Sequence, residues 1–241
     1  MSKVAIAIVV FNISSLISIQ IEFIKRFCTD NNFDIIITDN SNNTTEASLI
    51  KTHADNLGLR YFKTSFGEDF SQSHAAACNY SYKALKDLYD YIFFLDHDNF
   101  PIKNFSVKDI LNDKIIGGVG LIRPPDKYYF WPGCVMFNQK IIEKILVDFS
   151  VNYNFGLDTG GNLYQIIDKY GLDNCVFFNK KEVVNDTFNW YKTSYDVIYN
   201  KESDPLFCFM HFRSSSNWNK ADRNDERINS LLVILNNKAN E

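Results

Sequence analysis

Tyr91-Ile92-Phe93-Phe94-Leu95 is an unbroken apolar run of strand length, and it stops at once on Asp96-His97-Asp98. A run without alternation fits a strand buried on both faces, as in sheets covered by helices. Two carboxylates two residues apart at the end of such a strand can both reach one hard cation, and oxygen donors suit Mg2+ or Mn2+. A cation held by few protein ligands completes its shell with substrate phosphate oxygens. The plainer alternative is an acidic turn, so the surroundings of the tripeptide have to decide.

Upstream, residues 4–11 and 33–38 repeat the buried-strand signal, and 59–63 is a shorter strand. The segments between them are helical in spacing. Leu16, Ile17, Ile21, Ile24 and Phe27 follow a cap cluster at 12–15, and Asn43 with Glu46 can cap a second helix. A third helix over 71–88 opens on Ala75, Ala76 and Ala77, whose small side chains allow close approach to a neighbour. This β-α-β-α rhythm predicts an α/β fold with a central mixed, mostly parallel sheet flanked by helices. Ligands of such sheets bind at the carboxyl ends of the strands, so Phe11-Asn12, Asp39-Asn40 and Asp96-His97-Asp98 should face one crevice.

Downstream the pattern is α+β. Residues 115–122 and 129–137 read as strands, 139–146 as a helix, 158–170 as a helix opened by Asp158-Thr159-Gly160-Gly161, and 206–212 as a last strand. Residues 223–235 form an amphipathic tail helix that can cover the sheet or a partner, including a second copy in a homodimer. No repeat or linker divides the chain, so one domain over 1–241 is expected.

Charge and cysteine content exclude several classes. With 25 Lys+Arg against 29 Asp+Glu the net charge is −4, which argues against a nucleic-acid partner. At 46% apolar and 15% aromatic, the chain of 241 residues can bury a real core. Five widely spaced cysteines without a C-x-x-C pair read as reduced thiols of a cytoplasmic protein. The apolar N-terminus is too short to span a bilayer and reads as a strand, and no transmembrane segment is expected.

Four further groups carry candidate chemistry. His211 interrupts an apolar strand and is either a third ligand for Mn2+ or a hydrogen-bonded core histidine. Arg213 and the Ser214-Ser215-Ser216 run suit a diphosphate or form a solvated loop. Asp158 is either a helix cap or a general base that takes a proton from a hydroxyl. Trp131-Pro132-Gly133 is a sugar-stacking platform or an ordinary bend.

In order and spacing these segments resemble the GT-A-fold glycosyltransferases of the family-2 type over residues 4–218. The residues that carry it are Ile6-Ala7-Ile8-Val9-Val10-Phe11-Asn12, Asp34-Ile35-Ile36-Ile37-Thr38-Asp39-Asn40-Ser41, Ala75-Ala76-Ala77-Cys78-Asn79, Phe93-Phe94-Leu95-Asp96-His97-Asp98, Gly133-Cys134-Val135-Met136-Phe137 and Leu157-Asp158-Thr159. Cys78 stands where the family has Arg, and Leu157 where it has Glu.

The resemblance implies a Rossmann-like domain, 1–100 being a nucleotide-binding half, 101–220 an acceptor half and 221–241 the tail. It implies that Val10, Phe11 and Asn12 bind the donor nucleotide with Asn79 and His97, that Phe11 stacks near the base, and that Asp39 accepts from a uracil imide N–H. Asp96 then faces ribose or metal, Asp98 coordinates Mn2+ (or Mg2+) directly, and His211 adds a ligand. Arg213 and Ser216 meet the diphosphate, Trp131 and Gly133 the sugar or acceptor, and Asp158 is the base in inverting members. The expectation is a metal-dependent transferase moving a sugar from a nucleoside-diphosphate sugar, a UDP-sugar by preference, to a glycan, lipid-linked or protein hydroxyl with inversion. The rivals are a sugar-1-phosphate nucleotidyltransferase and an inactive nucleotide-sugar or glycan binding module. The first would want a Gly-rich, basic loop after the first strand, where this chain has Phe11-Asn12-Ile13-Ser14-Ser15.

Overall fold

The computed structural model describes residues 2–66, 70–123, 126–185, 193–200, 207–212 and 224–240. Strand β1 (Val4–Val10), helix α1 (Ser15–Phe27), β2 (Phe33–Asp39), α2 (Thr44–Asn56), β3 (Arg60–Lys63), α3 (Phe70–Leu85) and β4 (Tyr91–Leu95) follow the predicted rhythm. After them come β5 (Asn99–Pro101), α4 (Val107–Leu111), β6 (Ile116–Arg123), β7 (Lys127–Asn138), α5 (Tyr164–Tyr170), β8 (Cys175–Asn185), β9 (Thr193–Tyr199), β10 (Cys208–His211) and α6 (Asn224–Ala239).

All strands join one sheet in the order β3-β2-β1-β4-β7-β6-β8-β9-β10-β5. It is mixed and flanked by helices, as expected, but its balance differs from the expectation. Parallel pairing joins β1 to β2 and β4, β2 to β3, and β6 to β8. The remaining pairs, β4–β7, β6–β7, β8–β9, β9–β10 and β5–β10, are antiparallel. The reason lies in the connections: a helix between strands returns the chain to run parallel, whereas β6–β7 and β8–β9 are consecutive strands folded back on each other, which forces antiparallel pairing.

Alternate residues of β1 serve opposite faces. Val4, Ile6, Ile8 and Val10 belong to one core with buried residues of α1, α2, α4 and α6, while Ala5, Ala7 and Val9 belong to the other with Ala75, Ala77 and Tyr82 of α3 and Ile166 and Ile167 of α5. The alanines facing one another across β1 and α3 are the close approach anticipated above. In α6, Leu231, Ile234 and Leu235 are buried in the first of these cores, so the apolar side of the tail helix covers this chain's own sheet. All five cysteines are free, and among the described residues no helix is long and apolar enough to cross a membrane.

Two local expectations change. Residues 139–146 are not a helix; a turn leads into a short 3-10 segment at Lys144–Leu146. Asn138 diverts the chain, its side chain accepting from the Lys140 N–H and its carbonyl from Ile142. Residues 158–163 form a turn and a 3-10 segment (Gly161–Leu163) before α5, so Asp158 does not cap a helix. The residue before that segment is Gly160, at φ +84°, where an added Cβ would lie 2.6 Å from the Phe130 carbonyl. Asn43 caps α2 as expected, accepting from the Thr45 and Glu46 N–H groups, but Glu46 reaches across to the Ser14 N–H at the start of α1. That places a carboxylate at a helix N-terminus that lacks an acid of its own.

Candidate functional site

Because β2, β1 and β4 are adjacent and parallel, their carboxyl ends form one edge. The loops leaving that edge are tied together. Asn12, at φ +53°, donates from its N–H to Ser41 Oγ, while its side chain bonds Asn42 and the Asn43 N–H. His97 Nδ1 lies 3.2 Å from the Val9 carbonyl. The three predicted strand ends therefore do meet. Val10 is wholly buried behind them, with Phe11 and Asn12 half-buried.

Asp39 is fully buried and already well supplied with donors. Its carboxylate accepts from the Ser41 N–H at 2.8 Å and the Tyr61 hydroxyl at 2.7 Å, with Lys63 Nζ at 3.6 Å. It holds the β2 end in shape, and a base imide would have to share it.

The turn after β4 is braced from behind. Gln20 of α1, itself buried, donates from Nε2 to the carbonyls of Asp96 (2.6 Å) and Asn99 (2.8 Å). Asn99 donates to the Gly133 carbonyl, and the Asp96 N–H donates to the same oxygen. The Asp98 carbonyl accepts from the Phe212 N–H, which docks β10 against the turn. The two carboxylates then part company. Asp96 Oδ1 pairs with His74 Nε2 of α3 at 3.2 Å, whereas Asp98 Oδ1 faces His211 Nε2 at 3.6 Å. His211 Nδ1 bonds Asp196 Oδ2 at 3.0 Å, and the Trp131 ring packs against the imidazole at a tilt of 55°, their centroids 4.6 Å apart.

Electrostatics follow this geometry. Burial pushes Asp96 up, but the neighbouring histidines, His74 first, outweigh it and hold the carboxyl below its usual range. Burial opposes a charge on His74, and its contacts with Cys78 and Asp96 carry it well above the ordinary imidazole value. His211 is likewise raised: burial works against it, and Asp98 and Asp196 prevail. The cluster brings imidazoles and carboxylates to short range, so that each favours the charged form of its neighbour.

The fit to a divalent cation is partial and specific. Among the described residues no group of three or more His, Cys, Asp or Glu side chains converges as a metal site. Asp98 and His211 do supply one oxygen and one nitrogen donor on facing sides of a small gap, a set suited to Mn2+ and short enough to leave positions for phosphate oxygens. Asp96 is turned to His74 instead, with Oδ2 passing over Gly133. A Cβ at Gly133 would stand 2.5 Å from that oxygen and 2.1 Å from the Trp131 ring. Gly133→Ala is therefore expected to cost about 1–3 kcal/mol through forced displacement of Trp131 and Asp96, seen as a lowered thermal midpoint. An unshifted midpoint would contradict the close approach.

Other predicted residues are placed as follows. Asp158 is exposed, and among the described residues no hydrogen bond engages its carboxylate, although its backbone is pinned: its carbonyl accepts from Gly161, and the Thr159 hydroxyl donates to the Ser71 carbonyl at the start of α3. It lies near β7, since burial and then the Asp158 charge raise the Tyr129 phenol. Asn79 bonds Asp148, Ser150 and the Phe149 N–H and lines a cleft of about 520 Å3 with Phe66 and Tyr80. Arg213 and Ser216 lie outside the described residues. The sequence did not single out Gln20, His74 or Asp196, each of which touches the site only through tertiary contacts.

No protein-family model and no curated protein matches the chain. Among solved structures it is similar to the mannosyltransferase PcManGT from Pyrobaculum calidifontis in complex with GDP-Man and Mn2+, at 12% identity and TM-score 0.48 over 73% of this chain and 54% of that one. It is also similar to glucosyl-3-phosphoglycerate synthase from Mycobacterium tuberculosis in complex with Mn2+ and UDP-glucose (12% identity, TM-score 0.47, 73% and 68% covered). A third is the galactosyltransferase LgtC with donor and acceptor sugar analogs (12%, TM-score 0.46, 73% of each chain). The chain spans about half the length of the first. These are likenesses at low identity, and the chemistry below rests on this chain's own residues.

Proposed function

We propose that the chain is a metal-dependent glycosyltransferase that moves a sugar from a nucleoside-diphosphate sugar, a UDP-sugar by preference, to an acceptor hydroxyl with inversion. The observation that carries this is the Asp98–His211 pair at the carboxyl edge of β1, β2 and β4, where a nucleotide-binding sheet presents its ligand.

In this reading Phe11 and Asn12 border the base, and Asp39 keeps the β2 end rigid beside it. Asp98 and His211 would hold Mn2+ (or Mg2+), which supplies charge stabilisation for the departing diphosphate. Asp96, steered by His74, faces the ribose across bare Gly133. Trp131, packed on His211, offers the wall against which a sugar is placed, and Asp158 takes the proton from the attacking acceptor hydroxyl. The acceptor is a glycan, lipid-linked or protein hydroxyl. Five free thiols support a reducing, cytoplasmic setting.

A panel of UDP- and GDP-sugars, read by thermal stabilisation with and without Mn2+ and by nucleotide release, tests this directly. The expected result is Mn2+-dependent stabilisation strongest with one UDP-sugar, together with slow release of UDP. Stabilisation without release under any condition would favour a binding module, and indifference to every donor would overturn the proposal.

A further inference from the structure

We propose that Asp196 is the positioning residue of this site, fixing the His211 ring so that Nε2 is presented beside Asp98 to a divalent cation. This rests on the metal reading above and adds to it a residue on a different strand.

The sheet register carries the argument. In the β8-β9-β10-β5 ladder, Glu182 pairs with Asp196, Asp196 with His211, and His211 with Asn99. Directly paired residues of antiparallel strands present their side chains on the same face. One row of polar side chains thus crosses four strands and ends at Asn99, which is bonded to the Gly133 carbonyl behind the Asp96 turn.

Asp196 is fully buried within this row. A buried carboxylate is costly unless paired, and here Oδ2 meets His211 Nδ1 at 3.0 Å and Lys180 Nζ at 3.5 Å. Lys180 shares the face, two residues along β8 from Glu182. An imidazole whose Nδ1 hydrogen is given to a carboxylate keeps its lone pair on Nε2, the arrangement that orients metal-bound histidines generally. The ring cannot easily turn away: Trp131 packs against it with centroids 4.6 Å apart, and Asp98 Oδ1 stands 3.6 Å from Nε2. Both ring nitrogens of this buried histidine thus face carboxylates, Asp196 behind it on β9 and Asp98 in front.

The test titrates Mn2+ into the full-length chain, following free Mn2+ by electron paramagnetic resonance, with and without UDP. Wild type is expected to bind and Asp98→Ala to lose binding. Asp196→Asn, whose amide oxygen still accepts from His211 Nδ1 but no longer balances Lys180, should fold with a lowered metal-free thermal midpoint and weaken Mn2+ by roughly 10- to 100-fold. A folded Asp196→Asn protein that binds Mn2+ within about twofold of wild type would overturn the inference and leave the metal reading standing. Absence of Mn2+ binding in wild type, with and without UDP, would overturn the metal reading itself and this inference with it. A measurement that needs no substitution is the nitrogen-15 spectrum of His211 in metal-free protein at alkaline pH. The proton is expected on Nδ1, and a proton found on Nε2 would overturn the assignment.

Discussion

Asp98→Ala is expected to abolish both sugar transfer and donor hydrolysis, a loss on the order of a thousandfold or more, while the fold survives. The size follows from what the carboxylate does in the proposed site. Among the described residues it faces His211 across the gap assigned to the cation. Metal stabilisation of a leaving diphosphate amounts to several kcal/mol, and each 1.36 kcal/mol is about tenfold in rate. The fold is spared because the contact that docks β10 uses the Asp98 main chain, whose carbonyl accepts from the Phe212 N–H and does not depend on the side chain. His211 also keeps its bond to Asp196. Nucleotide release from the best UDP-sugar, Mn2+ affinity and thermal midpoint should be measured together. Activity retained at wild-type level, or wild-type activity that persists after chelation of all divalent metal, would end the metal role of this residue.

The part of this site that the sequence displays is the part built from interrupted apolar runs. Asp96 and Asp98 follow five buried residues of β4, and His211 breaks the apolar strand β10, so each stands out against its neighbours. The first half of the sheet is legible for a related reason. Strands β1 and β4 are buried at every position, and uninterrupted apolar character is visible without knowing what packs where.

The supporting residues are hidden because their meaning is tertiary. His74 and Cys78 share a helix face, but nothing in α3 announces that this face looks at Asp96. Asp196 sits in Thr193-Ser194-Tyr195-Asp196-Val197-Ile198-Tyr199, a stretch whose buried acid breaks the apolar pattern of a strand. Its partner strand β8 carries Asn179-Lys180-Lys181-Glu182, polar enough to read as a loop until β9 is paired with it. The failed helix at 139–146 has the same origin. Its apolar spacing is real, yet Ile145 is 86% exposed. The Glu143 N–H donates to the Tyr170 hydroxyl, and the Glu143 carboxylate pairs with Lys169, so contacts with α5 outweigh local periodicity.

Asp158→Asn is the second large effect, and it separates chemistry from binding. The carboxylate is exposed and, among the described residues, free of hydrogen bonds, so the amide replaces it without stranding a partner. The segment stays where it is because its anchors are elsewhere: the Thr159 hydroxyl on the Ser71 carbonyl, the Gly160 N–H on the Phe149 carbonyl, and the Gly161 N–H on the Asp158 main chain. Gly160 also presses against the Phe130 carbonyl and Pro132 of β7, the residues on either side of Trp131. A general base contributes roughly 100- to 10,000-fold, and that is the expected fall in turnover with an acceptor present. Donor-induced stabilisation and Mn2+ affinity should match wild type, since the role proposed for residue 158 is to take the acceptor's proton. If turnover is unchanged the proton goes elsewhere, and if donor affinity falls in step with turnover the residue binds the donor rather than activating the acceptor.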